Sequence, residues 1–163
     1  MNIALVAHDA RKDELMEWVR FNIDVLKDHN LFATGTTGRL LKNIVTERIV
    51  SEDGLSVTTI KPLQHSVNQL LSGPLGGDSQ IGAMIAEGSI DVLIFFCDNL
   101  ITQGHLQDVG ALSRLASQYN IAFATNRTTA DMILTSPLFN NPEYVRVIPS
   151  AIEKYKNRMD IND

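Results

Sequence analysis

Two short stretches carry residues suited to chemistry on an anion. Leu71 to Gly82 reads LSGPLGGDSQIG: Ser72, Pro74 and the glycines Gly73, Gly76 and Gly77 stand ahead of a helix-like run. Such a loop lets backbone N–H groups approach a phosphate. Asp78 follows at once, and a carboxylate is a poor neighbour for a phosphate. It is either the cap of the next helix or a base, whose proton affinity a bound dianion raises by like charge. Upstream, Ala33 to Gly38 reads ATGTTG. Its threonines Thr34, Thr36 and Thr37 and the glycine Gly35 offer hydroxyl and backbone donors at the positive end of a helix, although Thr and Gly are also ordinary turn and capping residues. Lys12 is a candidate fixed cation for the same phosphate; the alternative is a solvated surface lysine.

His105 lies in a polar loop. It is either a surface histidine or a donor to a carbonyl oxygen that becomes negative as the neighbouring carbon loses its proton. Asp108 either caps a helix beginning at Val109 or holds that imidazole. His8 closes a buried strand, and so reads as a site residue or a half-buried structural one. His29 and His65 sit on no comparable loop and read as structural. Cys97, the single cysteine, lies in an apolar run and reads as a small buried hydrophobe. There is no zinc-like spacing of His or Cys, no Gly-x-Ser-x-Gly elbow, no P-loop and no Gly-x-Gly-x-x-Gly. The residues point to acid-base chemistry on a small phosphorylated carbonyl compound, with no metal or cofactor expected.

Positioning these groups requires a scaffold, and the chain alternates short apolar runs with helical patterns. Asn2–Ala7, Leu31–Ala33, Val67–Leu71, Val92–Phe96 and Ile121–Ala124 read as buried strands. Leu15–Leu26, Gly38–Ile44, Gln80–Glu87, Val109–Tyr119 and Thr129–Leu134 read as helices packed on one face. The spacing predicts an α/β fold: one domain over residues 1–163, an open parallel sheet with helices on both faces. Tyr144–Ile148 reads as an added edge strand and Ala151–Met159 as a last helix. Glu47–Val50 and Leu55–Ile60 flank the turn sequence Ser51-Glu52-Asp53-Gly54 and predict a β-hairpin inserted at about 45–62. In such sheets ligands bind beyond the carboxyl ends of the strands, and the loops carrying His8 and Lys12, Thr34–Gly38, Ser72–Asp78 and His105 all fall there.

Composition narrows the class further. A 163-residue chain with 44% hydrophobic and 20% charged residues falls in the range of globular proteins. Its formal charge of -5, with no basic run, argues against nucleic acid. The longest apolar run, VLIFFC, is too short to span a bilayer, and the N-terminal residues lack a signal-peptide pattern, so the cytoplasm is the expected compartment.

Taken together, IALVAHD with Lys12, LFATGTTG, LLSGPLGGD, IDVLIFFCD, the His105 and Asp108 pair, and ATNRTTAD at Ala124–Asp131 resemble the methylglyoxal synthase family over nearly the whole length. The resemblance implies a flavodoxin-like winding and conversion of dihydroxyacetone phosphate to methylglyoxal and phosphate without cofactor. It also implies a homohexamer that phosphate inhibits allosterically. It makes Asp78 the catalytic base, His105 the donor to the substrate oxygens and Asp108 a supporting carboxylate. His8, Lys12, Thr34, Gly35, Thr36, Thr37, Ser72 and Gly73 become substrate-binding residues, and Arg158 an arginine reaching a neighbouring subunit's phosphate site. The segment from about Ile44 to His65 is longer than the family leads one to expect, and Leu106 and Gln107 replace a more polar, Pro-containing link. A phosphate-binding regulatory domain like that of carbamoyl phosphate synthetase resembles the same architecture but has no need of Asp78 and His105 together. An isomerase using the same enediolate is the third reading.

Overall fold

Asn2–Ala7 (NIALVA) is buried from Ile3 onward, as a strand in the middle of a covered parallel sheet must be. The computed structural model describes residues 1–50, 57–63, 66–98, 100 and 106–158, with 45–50, 57–62 and 106–108 described through their backbone. In chain order the elements are β1 (Asn2–Ala7), α1 (Lys12–Phe21), α2 (Ile23–Leu26), β2 (Asn30–Thr34), α3 (Gly35–Lys42), β3 (Val45–Val50), β4 (Val57–Pro62) and β5 (Val67–Leu70). There follow α4 (Gly77–Ala86), β6 (Val92–Phe96), α5 (Leu106–Gln118), β7 (Ala122–Ala124), α6 (Arg127–Leu134) and α7 (Ser150–Lys156).

The main sheet runs β5-β2-β1-β6-β7, and every pairing is parallel, with Leu5 opposite both Ala33 and Ile94. Side-chain alternation along β1 splits the core in two. Ile3, Leu5 and Ala7 face Leu15, Trp18 and Val19 of α1, Leu41 of α3 and Leu134 of α6. Ala4 and Val6 face Ile81 and Ile85 of α4 and Leu112 and Ala116 of α5. Trp18 is fully buried, edge-on to Phe96 at 5.9 Å, and each large side chain so buried contributes roughly 1.5–3 kcal/mol.

The expected open parallel sheet with helices on both faces is therefore present. Its strands follow the order 3-2-1-4-5 when the five are numbered along the chain, whereas flavodoxin-type winding is 2-1-3-4-5. Periodicity specifies a strand and its crossover helix but not the direction in which the crossover steps. Here the chain moves outward twice, through α1 and α3, before returning past β1. The direction of winding reverses between β1 and β6, the position at which an open sheet leaves a crevice.

Local chemistry moved several boundaries. The helix expected over Leu15–Leu26 is two helices, because Asn22 leaves helical geometry and both its backbone and side-chain N–H groups bond the Trp18 carbonyl. Helices α3 and α4 each begin three residues earlier than apolar spacing suggests, because their glycine-rich first turns bury no large side chain. Helix α5 begins at Leu106, which places Asp108 in its first turn and not at a cap before Val109. Helix α6 starts at Arg127, capped by the Asn126 side chain accepting from Thr129 N–H at 3.0 Å. Tyr144–Ile148 is not an edge strand. Pro142 and Pro149 bracket it, and side chains hold it in place of a ladder: Asn120 donates to the Val147 carbonyl at 2.9 Å and Arg146 to that of Ile90 at 2.9 Å. The hairpin is present as antiparallel β3 and β4, forming a two-stranded sheet of their own. Its Ser51–Gly54 turn lies outside the described residues. At its base, Leu63 N–H bonds the Ile44 carbonyl at 2.7 Å, and both side chains enter the core.

Candidate active site

The crevice is built by the carboxyl ends of β1, β2, β5 and β6. At the end of β1, His8 N–H bonds the Phe96 carbonyl at 3.2 Å, and its ring stands edge-on to Phe95 at 5.0 Å. Nδ1 of His8 accepts the Asp98 backbone N–H at 2.8 Å. A nitrogen that accepts carries no proton, so the neutral ring presents Nε2–H as a donor. A single 3-10 turn, Asp9–Arg11, then leads to Lys12, the first residue of α1. The Lys12 ammonium is ion-paired with the Asp9 carboxylate.

Strand β2 passes into α3 without a connecting loop, so in ATGTTG Ala33 and Thr34 end the strand and Gly35–Gly38 form the first turn of the helix. Gly35 has φ +31°, and a Cβ there would lie 2.7 Å from Ser72 Cα. Its N–H bonds the Leu71 carbonyl at 3.1 Å. The α3 terminus is therefore pressed directly against the loop after β5. Thr37 is 1% exposed and its hydroxyl has no hydrogen-bond partner among the described residues, although buried hydroxyls are normally satisfied.

The loop after β5 is held by its own backbone. The Ser72 carbonyl accepts from Leu75 N–H at 2.9 Å and Gly77 N–H at 3.0 Å, and Gly76 takes φ +96°. A Cβ on Gly77 would run into the Leu71 carbonyl. This geometry settles the role of Asp78 in the helix. Gly76 occupies the N-cap position, no side chain among the described residues caps α4, and Asp78 is the second helical residue. Among the described residues nothing hydrogen-bonds its carboxylate.

His8, Lys12, Thr34, Gly35, Thr36, Thr37, Ser72, Gly73 and Asp78 all line one cleft of about 550 Å³, a size that suits a small ligand. Asp9, Phe95 and Asp98 also line the cleft and were not among the candidates. Their signal was position alone, since each stands at the carboxyl end of a predicted strand. Cys97 is buried and its thiol is pushed up to about 11 by desolvation, which fits a packing residue. His105 lies outside the described residues, and Asp108 is placed through its backbone only. Arg158 is not part of this cleft; it follows α7, with its guanidinium 5.8 Å from the centre of the Tyr155 ring. No described helix is long and apolar enough to cross a membrane.

An open sheet whose switch crevice gathers Thr34, Thr36, Thr37, Lys12 and Asp78 defines an α/β domain with a polar cleft, and residues 14–125 match the MGS-like domain family. The chain is 50% identical over 146 residues to methylglyoxal synthase of Proteus mirabilis, covering 90% of this chain and 84% of that one. It is 51% identical over 140 residues to methylglyoxal synthase of Maridesulfovibrio salexigens, covering 85% of each. The crystal structure of methylglyoxal synthase from Elizabethkingia anophelis superposes with a TM-score of 0.74 at 41% identity, covering 99% of this chain and 91% of that one. The chain belongs to the methylglyoxal synthase family and is a lyase.

Proposed function

We propose that this cleft converts dihydroxyacetone phosphate to methylglyoxal and inorganic phosphate, with Asp78 as the base. The observation that carries this reading is a carboxylate with no hydrogen bond among the described residues, held on a helix turn beside the Thr34–Thr37 and Ser72–Gly73 donors in the same cleft. Thr36, Thr37, Ser72, Gly73 and Lys12 hold the phosphate. Asp78 removes a proton from C3, and the negative charge that gathers on the C2 oxygen is met by His8 Nε2–H and by His105. The enediolate then collapses. The C3 hydroxyl passes its proton to the C2 oxygen, a carbonyl forms at C3, the double bond shifts to C1 and C2, and the C1–O bond breaks so that phosphate leaves with the electron pair and takes the proton held by Asp78. The released enol ketonises to methylglyoxal. Asp108 supports His105.

The working assembly in this proposal is a homo-oligomer, a hexamer by resemblance, in the cytoplasm. Phosphate acts as an allosteric inhibitor, and Arg158 serves a neighbouring subunit. Its position away from its own chain's cleft fits that role.

The test mixes purified protein with dihydroxyacetone phosphate, without added metal, and quantifies methylglyoxal and phosphate together. Equal release is expected, with Asp78→Asn slower by roughly 10²- to 10⁴-fold, the contribution of a positioned base. Glyceraldehyde 3-phosphate in place of phosphate, or near-normal turnover by the variant, would overturn the reading.

A further inference from the structure

We infer that Asp9 sets how tightly the cleft holds phosphate by competing with it for Lys12. The inference rests on the phosphate-binding reading above. Among the described residues, three carboxylates line the cleft: Asp9, Asp78 and Asp98. Asp98 accepts the Leu100 N–H at 3.0 Å, Asp78 bonds nothing among the described residues, and Asp9 pairs with Lys12. Lys12 is the cation on the described wall of the cleft, and its side chain is only 19% exposed whereas that of Asp9 is 95% exposed. The lysine is thus held in place while its counter-ion stands in water.

A phosphate dianion entering this cleft must draw Lys12 away from Asp9 or share it. Sharing brings like charges together, and the pair's own attraction must be offset before the ligand gains the ammonium. Asp9 therefore lowers affinity for both the substrate's phosphate and the phosphate product. For an elimination that leaves a dianion in a donor-rich cradle, the effect is to hasten product release. The alternative role, in which Asp9 merely orients Lys12, predicts the opposite sign when its charge is removed.

The experiment titrates inorganic phosphate by calorimetry into the wild type, Asp9→Asn and Asp9→Glu. Asparagine keeps an oxygen that can accept from Lys12 but removes the charge. Asp9→Asn should bind phosphate roughly three- to tenfold more tightly, the range expected for releasing one exposed ion pair beside a dianion. Asp9→Glu should stay near the wild type, and the gain should shrink as salt screens the charges. In a Lys12→Met background, Asp9→Asn should lose most of its effect, because the cycle isolates coupling through Lys12. Unchanged or weaker binding by Asp9→Asn, or an undiminished gain without Lys12, overturns the competition while leaving the phosphate site standing. A wild type that binds no phosphate at all overturns the site itself.

Discussion

The backbone N–H of Asp98 donates to Nδ1 of His8 across 2.8 Å, joining the ends of β1 and β6 at the point where the winding of the sheet reverses. The bond makes Nδ1 an acceptor and leaves the ring's proton on Nε2. Nitrogen-15 NMR of the neutral protein should find the Nε2–H tautomer at His8. His8→Ala should lower kcat by roughly 10²-fold, the scale of one donor to a developing oxyanion. Gln, which can reach out with an amide N–H, should recover part of that loss. A kcat unchanged in His8→Ala would remove His8 from the reaction.

Thr37 has a buried hydroxyl with no partner among the described residues, and an unsatisfied buried hydroxyl costs about 1–3 kcal/mol. Thr37→Val removes that penalty at little change in shape. Its melting temperature should equal or exceed the wild type's, while kcat/KM falls roughly 5- to 30-fold through the lost bond to substrate phosphate. A variant that loses stability and keeps its activity would contradict this assignment.

Gly35 is both in left-handed backbone and in contact with Ser72. Gly35→Ala should cost roughly 1–3 kcal/mol of stability and weaken phosphate binding as well, since the methyl group would push the start of α3 away from the Ser72 loop with which it is proposed to share the ligand. Denaturant unfolding and phosphate titration of the same variant check both arms. An alanine variant with wild-type affinity would show that the close approach is not needed for binding.

His29 is held below its ordinary pKa of 6.5, first by burial and then by the Met1 ammonium, and its ring stands edge-on to Phe139 at 5.3 Å. The unfolded chain binds this proton more readily than the folded one. Stability from this group is therefore full above pH 6.5 and is lost as pH falls toward the lowered value. Urea midpoints should drop between neutral pH and mildly acid pH, and His29→Gln should reduce that slope. An identical pH profile in the variant would assign the slope to other groups.

The hairpin shows what local pattern alone can specify. β-branched runs flanking Ser51-Glu52-Asp53-Gly54 predicted two antiparallel strands, and β3 and β4 are present with register shifts after Val45 and Ile49 that no local pattern announces. Tyr144–Ile148 shows the opposite case. Its apolar residues match a strand, but a ladder requires a neighbouring edge at the right height, and side-chain bonds from Asn120 and Arg146 hold the segment instead.

The amino-acid sequence by itself determined the strands of the main sheet, the loops that face one edge, and the residue types gathered there. Each of these follows from nearest-neighbour chemistry: burial period, turn preference and the donor capacity of Thr, Gly and Lys. Only the tertiary structure decided that Asp78 is not a helix cap, because Gly76 occupies that position once Gly77 packs against Leu71. Likewise, only the tertiary structure set the His8 tautomer and brought Asp9, Asp78 and Asp98 into one cleft. Those relationships join residues far apart in the chain, and they exist only where crossover direction and sheet order bring separate strand ends together.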